Sequence, residues 1–211
     1  MNVDFYYTRQ RIPAGLGDAI NYANGFVTNE PFVVALGDAV IETKDHQQPL
    51  LSRMLDVYHE KEPAFVVAVR KVKKEDVSKY GIVDIDFEEN KRSFSLKDIV
   101  EKPAIHETPS QYAVAARYVF SPDIFEYLDK TLPGTSGEIQ LTDAMRMMLK
   151  HDYEAYAVPL NDNEVRYDIG TFDSYFKSFI KFALKDKEYG YKVRQHLESL
   201  VDDMTIERGD Q

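Results

Sequence analysis

The chain has 211 residues, with 26 Lys and Arg against 36 Asp and Glu, and a formal net charge of -10 at pH 7. This balance argues against a nucleic-acid partner, which would need clustered cations against phosphate. It leaves a small phosphorylated ligand open, because a few local cations or a bound metal outweigh the global field. There is no cysteine, and the five histidines are scattered, so disulfides, thiolate metal sites and zinc-type His pairs are excluded.

Taken in chain order, "VDFYYT" (3–8) reads as a strand, being rich in aromatic and β-branched residues. Pro13, Gly15 and Gly17 break it, and "DAINYANGF" then carries helical spacing. "PFVVALG" is a continuous apolar run of the buried, parallel-sheet kind. "QQPLLSRMLDVYHEKE" follows as an amphipathic helix with Leu51, Met54, Leu55 and Tyr58 on one face. "AFVVAVRKV" (64–72) is the next buried strand, and the alternation favours an α/β fold with right-handed crossovers.

"YGIVDIDF" and "RSFSLKDIVEKP" are expected to be two strands joined by the polar turn "EENK". "YAVAARYVFS" reads as another buried strand, after which Pro122 opens a helix over "PDIFEYLDKT". "TSGEIQLTDAMRMMLKH" has acidic residues near its start, as a helix dipole prefers. "YEAYAVPL" and "EVRYDIG" supply late strands, and two helices follow Thr171. In the first of these, the aromatic stripe of "SYFKSFIKFAL" is expected to pack on the sheet, with a partner surface as the alternative. No apolar stretch approaches the roughly twenty residues of a membrane span and no leader opens the sequence, so a soluble, cytoplasmic chain with no membrane partner is expected.

In open α/β sheets, ligands sit outside the carboxyl ends of parallel strands. Asp38, after Gly37 in "ALGDAV", and Asp168, in "RYDIGT", both read as strand-end carboxylates. Converging on one crevice, they would suit Mg²⁺, which keeps most of its ligands as water and phosphate oxygens. Each taken alone also suits a turn or helix cap. In "IVEKP", Lys102 offers a point charge to a phosphate and Glu101 can accept from sugar hydroxyls; a plain surface ion pair is the alternative. "AGLGDAI" offers backbone N–H groups at a helix start.

The order of these pieces is more specific than any one of them. "RQRIPAGLGDAI", "LGDAV", "YGIVD", "VEKP", "RYVFSPDIF", "GEIQLTDA" and "RYDIGTFDSY" together resemble the sugar-nucleotide pyrophosphorylase superfamily, and within it the bacterial UTP–glucose-1-phosphate uridylyltransferase branch. The similarity runs in unbroken order from about residue 6 to about residue 190. It implies a Rossmann-like α/β nucleotidyltransferase core with a mixed, mainly parallel sheet and a helical C-terminal tail. One domain over 1–211 is expected, with 1–170 as the core and 171–211 as helices.

By the same resemblance, the reaction is attack of a sugar 1-phosphate oxygen on the α-phosphate of a nucleoside triphosphate, with pyrophosphate leaving. UTP or UDP-glucose and glucose 1-phosphate are the implied ligands, and Mg²⁺ the implied cofactor. Asp38 and Asp168 match the metal ligands, and Lys102 matches the sugar-phosphate contact. Glu101 and the backbone of Gly81 match the contacts to sugar hydroxyls. Gln10 and Gly15 match the positions that read the pyrimidine edge. The pyrimidine, uracil or thymine, and the sugar, glucose, galactose or an amino sugar, are left open.

One departure is large. Family members carry a G-x-G-T-R loop and a later "PK" lysine that neutralise the triphosphate, and no match occurs here. The resemblance therefore implies that about two to three βα units of some thirty residues each are missing, with an exposed sheet edge as a consequence. Because losing such electrostatic partners costs powers of ten in rate, weak turnover is expected. Three readings follow: a uridylyltransferase, a UDP-sugar-binding or regulatory homologue acting as a homo-oligomer or paired with a full-length homologue, and a structural remnant.

Overall fold

The apolar run at 65–69 becomes the most deeply buried stretch of the molecule, because it is hydrogen-bonded to a strand on either side and covered on both faces. The computed structural model describes residues 3–43, 48–86, 88, 91–134 and 137–209, with 204–209 as backbone alone. Its strands are β1 (Phe32–Ala35), β2 (Ala39–Thr43), β3 (Phe65–Lys71), β4 (Gly81–Ile85), β5 (Phe94–Glu101), β6 (Tyr112–Phe120), β7 (Ala155–Pro159) and β8 (Glu164–Asp168). Its α-helices are α1 (Leu16–Asn21), α2 (Leu50–Lys61), α3 (Ile124–Lys130), α4 (Leu141–Lys150), α5 (Phe172–Lys185) and α6 (Gly190–Gly209). The chain divides into two compact units, Met1–Leu36 with Thr43–Val165, and Gly37–Glu42 with Arg166–Gln211.

The first unit is built on a six-stranded sheet in the order β1-β6-β3-β7-β5-β4. Strands β1, β3, β4 and β7 run one way and β5 and β6 the other, so the sheet is mixed and most of its strands share a direction. The α/β nucleotidyltransferase-type architecture expected from the sequence is therefore present. The expectation that the 32–37 run has a parallel neighbour needs correction: β6 lies between β1 and β3 and is antiparallel to both. Nor is the run buried: β1 is an edge strand with Val33 and Ala35 exposed and Phe32 and Val34 half-buried. An apolar run also carries no information on strand direction.

Local differences have physical causes. Residues 3–8 form no strand and are exposed, since a strand needs a partner to satisfy its backbone and none among the described residues pairs with it. On α2 the buried face is Leu50, Met54, Val57 and Tyr58, while Leu51 is exposed; these four positions fall on one helical stripe. Helix α4 begins only at Leu141. The preceding residues are extended because Ile139 exchanges backbone hydrogen bonds with the α1 entry: its N–H donates to Ala14 O (2.8 Å) and its carbonyl accepts from Gly17 N–H (2.9 Å). Residues 135–136 of that segment, and 89–90 of the "EENK" turn, lie outside the described residues. Below this seam α4 buries Ala144, Met145 and Met148 against Ile124 and Leu128 of α3 and the sheet.

In the second unit β2 and β8 form a two-stranded sheet. Tyr167 Oη donates to Glu42 (2.9 Å), and Lys185 Nζ donates to both Glu42 (2.6 Å) and Tyr167 Oη (3.2 Å). The bond to Glu42, then that to Tyr167, raises the Lys185 pKa. Helix α5 starts in a reciprocal cap, with Thr171 Oγ1 accepting from Ser174 N–H and Ser174 Oγ accepting from Thr171 N–H. Its aromatic stripe is exposed: Phe172 (83%), Tyr175, Phe176 and Phe179 (59%) stack along the helix and are not core. Gly190, which opens α6, sits so close to α5 that a Cβ there would lie 2.7 Å from Leu184 O. Gly190→Ala should therefore force the two helices apart at their junction and lower stability by about 1–3 kcal/mol, read as a lower midpoint in urea monitored by circular dichroism.

Candidate functional site

At the paired ends of β4 and β5, Gly81 stands opposite Glu101 in antiparallel register. The close approach favours glycine: a Cβ at position 81 would lie 3.2 Å from Glu101 Oε2 and 3.1 Å from Thr142 Cγ2, tighter than most such contacts. Glu101 Oε2 accepts a hydrogen bond from Thr142 Oγ1 at 3.0 Å, while Oε1 lies 3.7 Å from Lys102 Nζ. Lys102 departs from the strand with φ of +44°, the left-handed region that costs a non-glycine residue about 1–2 kcal/mol. Its N–H is nevertheless satisfied by Tyr80 O at 3.0 Å, and Pro103 behind it is buried. The backbone is thus held in a strained turn that ends the strand and leaves the ammonium exposed; such strain concentrates where a side chain must be aimed. Sequence reasoning placed Gly81, Glu101 and Lys102 as candidates, and the structure brings them together.

A second group forms at the α1 entry. Gln10 Nε2 donates to Asp18 Oδ2 (2.6 Å) and to Gly15 O (3.2 Å), so the candidates Gln10 and Gly15 lie together. Gly15 has φ of +97°, and a Cβ there would lie 2.7 Å from Ile139 O. Both conditions demand glycine.

In the second unit Asp38 lies in the turn between β1 and β2, and Asp168 ends β8. A Cβ on Gly170 would stand 3.1 Å from Asp38 Oδ2 and 3.3 Å from Asp168 Oδ1, so the two carboxylates flank one point in space. The backbone holds them there, with Ile169 N–H donating to Asp38 O (2.8 Å) and Gly170 N–H donating to Asp168 Oδ1 (3.0 Å). Asp168 Oδ2 accepts from Arg166 at 3.2 Å. Neither aspartate caps a helix, since a strand follows Asp38 and Thr171 is the N-cap of α5. Gly37 is exposed, and a Cβ there would meet nothing within 4 Å. Among the described residues no group of three or more His, Asp or Glu gathers. A pair of carboxylates suits Mg²⁺, which retains most of its ligands as water, and would not suit an ion that needs an all-protein cage.

Sequence reasoning missed Thr142, Arg166 and Gly170. No spacing rule relates positions 101 and 142, and only tertiary packing joins them. A cavity of about 400 Å³ in the first unit, lined in part by Arg53, Lys61, Lys91, Arg92 and Ser95, contains none of the candidate residues. Several of its charges are already paired, Arg53 with Glu164, Lys61 with Glu60 and Lys91 with Glu88.

The fold is of the α/β nucleotidyltransferase type. Residues 1–184 match the family model described as "Nucleotidyl transferase", and the chain belongs to that family. Among curated proteins it is similar to the UTP–glucose-1-phosphate uridylyltransferases of Staphylococcus epidermidis (36% identity, 93% of this chain and 66% of the relative) and Streptococcus pneumoniae (37%, 95% and 66%). That of Bacillus subtilis is 36% identical over 94% of this chain and 65% of the relative. Among solved structures it is similar to a UDP-glucose pyrophosphorylase complexed with UDP-glucose, with TM-score 0.78 and 37% identity over 86% of this chain and 67% of that one. The UTP-bound enzyme of Acinetobacter baumannii has TM-score 0.80 and 31% identity over 92% of this chain and 65% of that one. The chain thus spans just under two thirds of the length of the curated relatives it matches.

Since the left-handed turn at position 102 strains a lysine but not a glycine, Lys102→Gly should leave the protein as stable or about 0.5 kcal/mol more stable, the relief of strain exceeding the extra chain entropy. A fall in the denaturation midpoint would show that the turn is set by other contacts of the side chain.

Proposed function

We propose that the chain carries the sugar-phosphate side of a UTP–glucose-1-phosphate uridylyltransferase, which transfers UMP from UTP to glucose 1-phosphate and releases pyrophosphate. The observation that carries this reading is the strained β5 end: Lys102, in left-handed backbone, keeps its ammonium exposed beside the Glu101 carboxylate and the bare Gly81. The 37% identity to a pyrophosphorylase complexed with UDP-glucose supports the choice of ligand. We assign the cytoplasm as the location and residues 1–211 as one nucleotidyltransferase-like domain.

In this reading Lys102 meets the sugar phosphate, and Glu101 with the Gly81 backbone holds sugar hydroxyls. Gln10 and Gly15 read the pyrimidine edge, and Gly37 leaves the approach to Asp38 open. Asp38 and Asp168 would hold Mg²⁺, which supplies charge neutralisation of phosphate oxygens when bound. Transfer between phosphates needs positioning and neutralisation of charge more than a protein nucleophile, and the residues present are of that kind. Lys102 fixes the attacking phosphate by charge, Glu101 orients the ring behind it, and Arg166 occupies one oxygen of Asp168 so that the other faces Asp38.

A second reading rests on ligand binding alone, as in the similar pyrophosphorylase complexed with UDP-glucose, without turnover. It is a non-catalytic UDP-sugar-binding or regulatory homologue, acting as a homo-oligomer or with a full-length partner. Pyrophosphate release with UTP, glucose 1-phosphate and Mg²⁺ separates the two. Turnover that falls at least about 100-fold in Asp38→Ala supports the transferase; no turnover with retained UDP-glucose binding supports the second reading. Absence of both activities would sink both. Gly170→Ala, which places a methyl group between the two carboxylates, should weaken Mn²⁺ binding about tenfold, measured by electron paramagnetic resonance of the free ion; unchanged binding would remove Asp38 and Asp168 as a metal pair.

A further inference from the structure

Helix α4 grips strand β5 by two polar contacts one helical turn apart. Arg146 forks onto Asp98, with Nε and one terminal nitrogen donating to the two carboxylate oxygens at 2.8 and 2.7 Å. Thr142, four residues earlier and buried, donates from Oγ1 to Glu101 Oε2 at 3.0 Å. Positions i and i+4 share a helix face, so both contacts come from one side of α4 and land on one strand. The bidentate pair fixes where α4 stands along β5, and that placement brings the Thr142 hydroxyl to Glu101.

Glu101 needs such a partner. A glutamate at a strand end has several rotamers, and confining it costs side-chain entropy. Here Oε2 is held by a buried hydroxyl, and the bare Gly81 leaves it room, since a Cβ at 81 would lie 3.2 Å from Oε2. The Thr142 methyl closes the same gap, with Cγ2 3.1 Å from that Cβ position. A β-branched residue has few χ1 options, so one side chain supplies both the donor and the packing that aims it. Oε1 is left toward Lys102, 3.7 Å from its Nζ.

We infer that Thr142 is a positioning residue for sugar recognition: it locks the carboxylate of Glu101 so that Oε1 is presented, beside Lys102, to the hydroxyls of a hexose 1-phosphate or nucleotide sugar. The inference rests on the reading of Glu101 as a sugar contact. Thr142 touches no ligand itself and acts through Glu101, by reducing the rotamer freedom that binding would otherwise remove.

The test is calorimetric titration of the chain, with Mg²⁺ present, by UDP-glucose and by UDP. Thr142→Val keeps the shape and removes the donor. It should weaken UDP-glucose about tenfold, as losing a hydrogen bond to a charged group does, and change UDP less than twofold. Thr142→Ser, which keeps the hydroxyl, should stay within about threefold of the parent for UDP-glucose. Equal losses for both ligands would mark Thr142 as merely structural and overturn the inference, as would no loss at all. Glu101→Ala tests the underlying reading separately: if it weakens UDP-glucose and Thr142→Val does not, only the positioning role falls. If Glu101→Ala changes nothing, or the parent chain binds no UDP-glucose, the sugar-site reading falls and the role of Thr142 with it.

Discussion

Strand β3 is hydrogen-bonded on one side to β6 and on the other to β7, and its residues from Phe65 to Val69 are closed to solvent. Every other part of the first unit depends on that double pairing. β6 carries β1 on its far edge, and β7 carries β5 and then β4. At roughly 25 cal/mol per Å² of apolar surface, a strand buried on both faces and paired on both edges is the part that cannot shift without unfolding its neighbours. The strand ends can then be irregular at modest cost, and irregular ends are where Lys102 and Gly81 stand.

The candidate groups share a structural device. In each, a close approach at a glycine is paired with a polar group held from behind. Gly15 abuts Ile139 O while its own carbonyl accepts from Gln10; Gly81 abuts Glu101 while Thr142 holds the carboxylate; Gly170 lies beside Asp38 and Asp168 while its N–H fixes the latter. Small residues give access, and hydrogen bonds from a second layer supply rigidity that the exposed groups lack. The segment 137–144 serves two of these places, through the Ile139 backbone and the Thr142 hydroxyl. This gives a physical reason for the specificity of "GEIQLTDA" as a sequence signature: its first half is a backbone seam and its second half a helix start.

Much of the secondary structure was legible. Apolar runs of Val, Ala and aromatic residues marked β3, β6 and β7, and the 3.6-residue spacing of apolar side chains marked α2, α5 and most of α4. Asp38, Glu101, Lys102 and Asp168 stood out because a charged group follows an apolar run at each. The misreadings have one cause. Residues 3–8 have the composition of a strand but no described partner, and the stripe on α5 has the pattern of a core helix but is exposed. Composition reports what a segment can do, whereas pairing depends on what lies beside it.

By itself, then, the amino-acid order determined most element types and the α/β class, through local propensity and periodicity, while its ordered motifs carried the family resemblance and the charged candidates. Only the tertiary structure decided that β6 runs antiparallel between β1 and β3, that Asp38 and Asp168 flank Gly170, and that Thr142 reaches Glu101 across 41 positions. Contacts between residues distant in sequence are fixed by packing the whole sheet and its helices at once, and no local pattern encodes them.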